Sequence, residues 1–439
     1  MKTSNNIPKD NFYQLVVDGY DKFYYYLNQA ERNMYLNYKD TGTMFRSFLE
    51  AFISMILEKE HMKIDGSLNE KIKSVIKIDK YASVLNDDKK IKYKTIGGKE
   101  TWRSRIDFLR LISNVASHEN PTDQSLPKLN YDNLSKALRC YFEILKIYFE
   151  WPAKIKYNPN RFYIGEYLIN EVHNGSEYDR TEIVKECKGY LYNNGMIQKY
   201  FLIDIFKKSA VQENLMKHSS DAYEAADSSS PYGVRGISKV YELSKHNDAA
   251  SPEEYYLIAY EFKREFCPLD EYIKSHQLNK KQKLEICIKL TESLKQLHST
   301  GIYHRLLNHS NVYICEFNTA LEPVIAHFSF AKIDNEYWNY TVLDNLNKKQ
   351  KNSQLKYMKY VCQFISDYAK VDIYSLGVLF YCILTEDFDG LHMSDRNLKK
   401  IVSNDFYEEI LRMIKTSERD REDDLDMVVL TLEEELKHV

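Results

Sequence analysis

Arg110, Asn114 and His118 recur every fourth residue in the stretch RIDFLRLISNVASHEN. At 100° per residue they share, with Arg103 and Asp107, a stripe roughly 80° wide. Phe108, Leu109, Ile112, Val115 and Ala116 take the opposite, core-facing side. An arginine and a histidine on one helical line can act on a phosphodiester without a metal. The guanidinium stabilises the charge of a phosphorane, and an imidazole titrating near neutrality moves protons at a 2′-hydroxyl or leaving oxygen. One imidazole cannot be base and acid at once, so such a site would assemble between two copies in a homodimer, with RNA as its partner. A plainer account also fits: Arg110 as the ion-pair partner of Asp107, and His118 as a cation favoured at a helix C-terminus.

The elements that must position these residues are helical up to about residue 150. Thr43–Glu60 sets Phe45, Phe48, Leu49, Phe52, Ile56 and Leu57 on one stripe, and Thr101–Ser117 reads as a second amphipathic helix, closed by Asn120-Pro121. Asp132 or Asn133 can cap a third, carrying Leu134, Leu138, Tyr141, Leu145 and Tyr148 and ending before Trp151-Pro152. The charged region 61–100, with Gly97-Gly98, reads as short helices and loop. After Pro152 the texture changes to short β-like runs, Tyr163–Leu168, Gly189–Tyr192, Lys199–Phe206, Ile237–Leu243 and Tyr255–Phe262. From Asn279 the helical period returns, interrupted by strands near Val312–Cys315 and Val324–Ala326.

Bulk properties agree with a folded chain of several domains. Its 439 residues exceed one compact core, and 44% apolar with 28% charged residues is ordinary for a globular protein. Residues 1–150 carry 24 Lys+Arg against 20 Asp+Glu, so the remainder carries 61 − 24 = 37 against 64 − 20 = 44. A mildly basic first part is compatible with a nucleic-acid partner without arguing for one alone. No apolar run approaches the roughly 18 residues of a membrane span, and Met1–Asp10 lacks the apolar centre of a signal peptide. The seven cysteines include no CxxC pair, so they read as reduced thiols, neither zinc ligands nor a disulfide framework. The expected location is the cytoplasm.

Leu297–Asn311, LHSTGIYHRLLNHSN, resembles the catalytic loop of protein kinases, whose pattern is HRDLxxxxN. His304, Arg305, Leu307 and Asn311 match, and Leu306 stands where the catalytic Asp belongs. Ala326–Ile333, AHFSFAKI, is similar to the segment around the DFG motif, with His327 for its Asp and Ser329 for its Gly. Val371–Val378, VDIYSLGV, resembles the start of the family's large core helix, with Asp372 and Gly377 in place. Glu254–Tyr272 resembles the hinge strand and following helix, and Arg421 matches a late structural Arg. The similarity spans roughly 155–439.

In that family one Asp accepts the substrate proton, a second holds magnesium against the phosphates, and a strand Lys holds the nucleotide. Against this pattern Leu306 cannot accept a proton, and His327 offers nitrogen to an ion that prefers oxygen. FLIDIF, Phe201–Phe206, aligns with the Lys-bearing strand and puts Asp204 at the Lys position, with Lys199, Lys207 and Lys208 near enough to substitute. No GxGxxG loop is present. No Pro follows Pro323 and no Glu lies between Glu336 and Glu386, so the APE motif is absent. The resemblance therefore implies a pseudokinase in which His304, Arg305, Asn311, Asp372, Gly377 and Arg421 build the fold. No metal and no cofactor are expected, although such a shell can hold a nucleotide without magnesium.

The first part is similar to the HEPN superfamily, particularly the HEPN-like domains beside restriction-type defence enzymes. LRLISNVASHEN carries the Arg, Asn and His near a helix end, and FRSFLEAFISMILE, with Arg46 and Glu50, resembles the early helix. Ribonuclease members usually place Arg and His four to six residues apart with a polar residue after the Arg; here seven residues intervene and Leu111 follows Arg110. The combined expectation is a multidomain protein, an all-α N-terminal HEPN-like helical domain (1–152) followed by an α+β bilobal kinase-like fold. The latter divides into a β-rich N-lobe (153–262) and a helical C-lobe (263–439). The first domain would cut RNA under the control of the second, which responds to an unknown protein or small molecule. The competing reading is a non-enzymatic scaffold.

Overall fold

The computed structural model describes residues 10–63, 65–85, 90–117, 123–174, 183–193, 196–207, 220–224, 239–242, 255–262, 264–317, 320–328, 331–333, 367–388, 395–415, 421–422 and 424–439. His118 and Ser329 lie outside them, as do residues 334–366, where the APE motif would be sought. The chain forms two compact units. The first takes residues up to Val172 with the ends of two strands, 189–193 and 196–198, and the second takes most of the remaining chain.

The first unit is helix-rich: α1 (Gln14–Val17), α2 (Asp21–Asn33), α3 (Tyr38–Lys59), α4 (Leu68–Ile76), α5 (Asp79–Leu85), α6 (Arg105–Ala116) and α7 (Tyr131–Tyr148). Aromatic contacts dominate its core, with Phe23 edge-on to Phe48 and Phe52, and Tyr141 packed on Phe45 and Phe48. Tyr141 also donates to the Phe45 carbonyl at 3.2 Å, tying α7 to α3. Gly42 lets α3 meet α6: a Cβ there would land on that of Ala116.

The unit is not wholly α. Lys90–Lys94 (β1) and Glu100–Ser104 (β2) form an antiparallel hairpin. The helix expected from Thr101 therefore begins only at Arg105, capped by Ser104. The Gly97-Gly98 pair makes the turn, with Gly98 at φ 79°, and places Arg103 on a strand instead of the helical stripe. The α7 cap also differs: Asn130 accepts from the Asn133 backbone at 2.9 Å. Asn133, fully buried, donates its side-chain amide to the carbonyls of Lys94 and Lys128 at 2.8 Å each, so it holds the hairpin to α7. The chain stays with this unit past Pro152. Arg32 donates to the Gly165 carbonyl at 2.8 Å and lies over the Tyr163 ring, and Asn11 donates to the Asn158 and Arg161 carbonyls.

A six-stranded sheet runs in the order β3-β4-β5-β6-β8-β7, with β3 (Phe162–Ile164), β4 (Tyr167–Asn174), β5 (Ile183–Asn193), β6 (Met196–Lys207), β7 (Lys239–Glu242) and β8 (Tyr255–Phe262). The helical remainder of the second unit contains β9 (Phe266–Pro268), α8 (Leu269–Ser275), α9 (Lys280–Ser299), β10 (Ile302–Tyr303), β11 (Val312–Phe317), β12 (Ala320–Ile325), β13 (Lys332–Ile333), α10 (Tyr368–Thr385), α11 (Asp395–Leu398), α12 (Asn404–Met413) and α13 (Leu425–Lys437). Helix α10 is apolar enough, at 18 residues, to match a membrane span by composition, but 78% of it is buried inside the unit. It is a buried core helix that packs against α9, α11 and α12. Gly377 permits that packing, since a Cβ would come within 2.8 Å of Ile414 and 2.9 Å of Met413.

Candidate functional site

The loop after α9 is fixed by one carboxylate. Asp372, fully buried in the first turns of α10, accepts the His304 backbone N–H at 2.7 Å and that of Arg305 at 2.6 Å. His298 Nε2 lies 3.0 Å from the same carboxylate. Arg305 sits at φ 65°, a left-handed conformation for a non-glycine residue. Such a conformation typically costs about 1–3 kcal/mol and persists where surroundings over-determine it. Here the two backbone hydrogen bonds to Asp372 do so. His304 is buried too. Its Nδ1 accepts the Leu306 N–H at 3.3 Å and its Nε2 lies 2.9 Å from the Ala326 carbonyl, the pattern of a neutral ring donating from Nε2. Burial holds its pKa below the ordinary imidazole value.

Leu306 is itself buried, so this loop position presents no acid or base. Its carbonyl receives the side-chain amides of Asn308 at 2.9 Å and Asn311 at 2.7 Å, which commits Asn311 to shaping the loop. Arg421 is buried over the Tyr374 ring and donates to the carbonyls of Lys370 and Lys415, holding the start of α10 to the segment after α12. His304, Arg305, Asn311, Asp372, Gly377 and Arg421 thus all lie at joints between packed elements.

Asp204 on β6 and His327, just after β12, come together in this unit. His327 Nδ1 lies 2.7 Å from Asp204 Oδ2. On the other edge of the ring, Nε2 lies 2.9 Å from the Tyr313 hydroxyl and 3.8 Å from Glu186 Oε2. Tyr313 also reaches Glu186 at 3.5 Å. All four side chains are buried: Asp204 is 0%, Glu186 1%, Tyr313 1% and His327 4% exposed. Tyr260 packs on the His327 ring, while Phe262 and Phe266 pack edge-on to Tyr313. Like Arg305, His327 is left-handed, at φ 65°. Lys199, one of the lysines near Asp204 in sequence, is paired with Glu261 at 2.9 Å.

Sequence reading singled out Asp204 and His327 but missed Glu186 and Tyr313. The one available signal for Glu186 was an acidic residue in a strand next to Cys187, both now seen buried. Nothing local distinguishes Tyr313 from any other strand tyrosine.

In the first unit, Arg110 and Asn114 lie one turn apart on α6 at intermediate exposure. Arg110 pairs with Asp107 at 3.6 Å. The fully buried arginine of this helix is Arg105, which meets Glu143 at 2.7 Å.

Residues 168–417, more than half of the chain, match the family described as protein tyrosine and serine/threonine kinase. None of the curated proteins matches the chain. The matched segment includes the left-handed Arg305 and His327, the Asp372 anchor and the glycine-dependent packing of α10, and on this ground the chain belongs to the protein tyrosine and serine/threonine kinase family.

Proposed function

We propose that the kinase-like unit does not transfer phosphate and instead serves as a sensor module controlling a helical unit that acts on RNA. The observation carrying the first half is the 2.7 Å contact between Asp204 and His327. Where the family sets a lysine cation and a magnesium-binding carboxylate against the phosphates, this chain sets a carboxylate and an imidazole against each other. Magnesium demands near-octahedral oxygen coordination; the residues here do not fit a magnesium–phosphate complex. Asp204 would also repel the phosphates, and Leu306 has no atom to take a substrate proton.

The test is incubation with labelled Mg-ATP, with and without generic protein substrates. No incorporation is expected, into substrate or into the chain itself. Incorporation that disappears in His327→Ala and Asp204→Ala would overturn the proposal.

The second half rests on the spacing of Arg110, Asn114 and His118 and on the mildly basic balance of residues 1–150. In this reading two copies pair through the α6 face, so that one His118 serves as base and the other as acid, while Arg110 clamps the phosphate. Purified protein incubated with total RNA and tRNA should cut with EDTA present, and His118→Ala and Arg110→Ala should each abolish most cutting. The Arg110–Asp107 pair favours the scaffold reading, which wins if the wild type leaves every RNA intact and a monomer is found at micromolar concentration.

A further inference from the structure

We infer that His327, Glu186 and Tyr313 form a binding site for a borderline divalent cation of the zinc class, with Asp204 orienting the imidazole from behind. This site includes His327 and Asp204, the residues that carry the proposed function, and rests on that reading of them. Its readout is metal content, so its failure is separable from that of the phosphate-transfer reading.

The geometry is that of a metal site viewed from its ligands. For zinc bound at about 2.0–2.1 Å by nitrogen and oxygen, neighbouring donors of a tetrahedron lie roughly 3.3–3.4 Å apart. The three donor separations here are 2.9 Å from His327 Nε2 to the Tyr313 oxygen, 3.5 Å from that oxygen to Glu186 Oε2, and 3.8 Å from Nε2 to Oε2. They bracket the tetrahedral edge. One donor atom from each of Glu186, Asp204 and His327 also lies within 4.8 Å of the others.

Asp204 supplies the orienting group. A metal-bound histidine almost always donates its second ring N–H to a carboxylate or carbonyl, which fixes the tautomer and raises the basicity of the ligating nitrogen. Asp204 Oδ2 lies 2.7 Å from Nδ1 as an ion-pair contact, and a small turn of the ring on metal binding would bring the N–H onto it. Nε2 lies on the edge of the ring that faces the Tyr313 and Glu186 oxygens. Aromatic walls from Tyr260 and Phe262 restrict both His327 and Tyr313.

Donor chemistry selects the ion class. Imidazole nitrogen with carboxylate and phenolic oxygen suits zinc and its transition-metal neighbours, whereas calcium and magnesium ask for six or more oxygens. Tyr313 would bind as its phenolate and release one proton on metal uptake. Because the donors are buried, the ion enters as the unit folds, and its binding energy becomes folding energy. The donors lie far apart in sequence, on β5, on β11 and after β12, so no ligand-spacing motif announces them.

The experiment uses the full chain purified without a histidine tag. Elemental analysis should find about one zinc per chain, as expected of a single site with this donor set. Excess EDTA should lower the midpoint of one thermal transition in the wild type, and ZnCl2 should restore it. His327→Ala and Glu186→Gln should lose the metal and the EDTA effect together. Tyr313→Phe, which keeps the ring and deletes one oxygen, should still fold and bind more weakly. Asp204→Asn should weaken binding by about 10- to 100-fold, the range seen for such orienting groups. The inference is overturned by wild-type protein with less than about a tenth of the zinc expected for one such site, both as isolated and after refolding with ZnCl2. It is equally overturned if all four variants retain wild-type zinc content.

Discussion

Two buried acids, one in each unit, sit in opposite surroundings. In the helical unit Glu31, on α2, is fully buried, and burial, reinforced by the neighbouring Asp10 charge, raises its pKa well above the ordinary carboxyl value. Asp10 is raised by burial too. In the kinase-like unit Asp372 is equally buried but is surrounded by donors, two backbone N–H groups and the His298 ring. A buried carboxyl whose burial outweighs the donors it receives does better neutral; one that receives several backbone hydrogen bonds organises the chain around it. The contrast separates a tolerated acid from one that holds a loop.

Removing each acid should expose this difference. Asp372→Ala leaves the backbone amides of His304 and Arg305 without their acceptor and frees the left-handed Arg305. The expected loss is about 3–5 kcal/mol, the scale for breaking a buried charged network, read as a fall in the urea midpoint of the kinase-like unit. Glu31→Gln should change the helical unit far less at neutral pH and should stabilise it if the glutamate resists ionisation. Equal losses in the two variants would erase the distinction.

Titration supplies the next test, and the signs oppose. The folded pKa of Glu31 is raised, so its contribution is fully present below the unfolded value of about 4.5 and is lost as pH rises through the folded value. That of His304 is depressed by burial, so its contribution is present above the unfolded value of about 6.5 and is lost as pH falls through the folded value. Each slope amounts to at most one proton, about 1.4 kcal/mol per pH unit. Thermal scans between these values should show the kinase-like transition weakening on acidification while the helical one holds or gains. Glu31→Gln should flatten the helical trend alone.

Close helix approaches are common to both units. Gly377→Ala drives a methyl against Ile414 and Met413, and Gly42→Ala drives one into Ala116. Each should cost about 1–3 kcal/mol by overpacking, visible as a lower melting temperature of its own unit. Rescue of Gly42→Ala by Ala116→Gly would show that the crossing of α3 and α6 is responsible.

Much of the kinase-like unit was legible because its joints recur as short motifs. HRLLNHSN and VDIYSLG mark the loop and the core helix, and Tyr255–Phe262 reads as a strand and is one. The helical unit offers only periodicity, and periodicity cannot separate Thr101–Arg103 in a strand from the same residues opening a helix. The hairpin is set by the turn at Gly98, by the β1 pairing and by Asn133 reaching across to Lys94, and the last of these is distant in sequence from β2. Likewise Asp204 and His327 were visible by position, whereas Glu186 and Tyr313 acquire meaning only when the strands bring them to the same ring. Chemistry assembled from distant strands leaves no spacing to read.

The smallest effect gives the cleanest matched pair. Each unit has a helix closed by a reciprocal capping box. Ser67 accepts the Glu70 N–H while the Glu70 carboxylate accepts that of Ser67 at 2.7 Å. Asn279 accepts the Gln282 N–H at 2.9 Å while the Gln282 side chain accepts that of Asn279 at 3.0 Å. Ser67→Ala and Asn279→Ala should each cost about 1 kcal/mol near neutral pH. The boxes differ in the capping residue, Ser67 against Asn279, and at the third helical position, where Glu70 titrates and Gln282 does not. Hydrogen bonds from Ser67 hold Glu70 below its ordinary pKa, so its box persists above the unfolded value and weakens as pH falls through the folded one. The cost of Ser67→Ala should therefore shrink in acid, while that of Asn279→Ala stays constant. Differential melts of the two variants against wild type, in steps from neutral to acid, measure this. Parallel curves would mean that the Glu70 charge adds nothing to its cap.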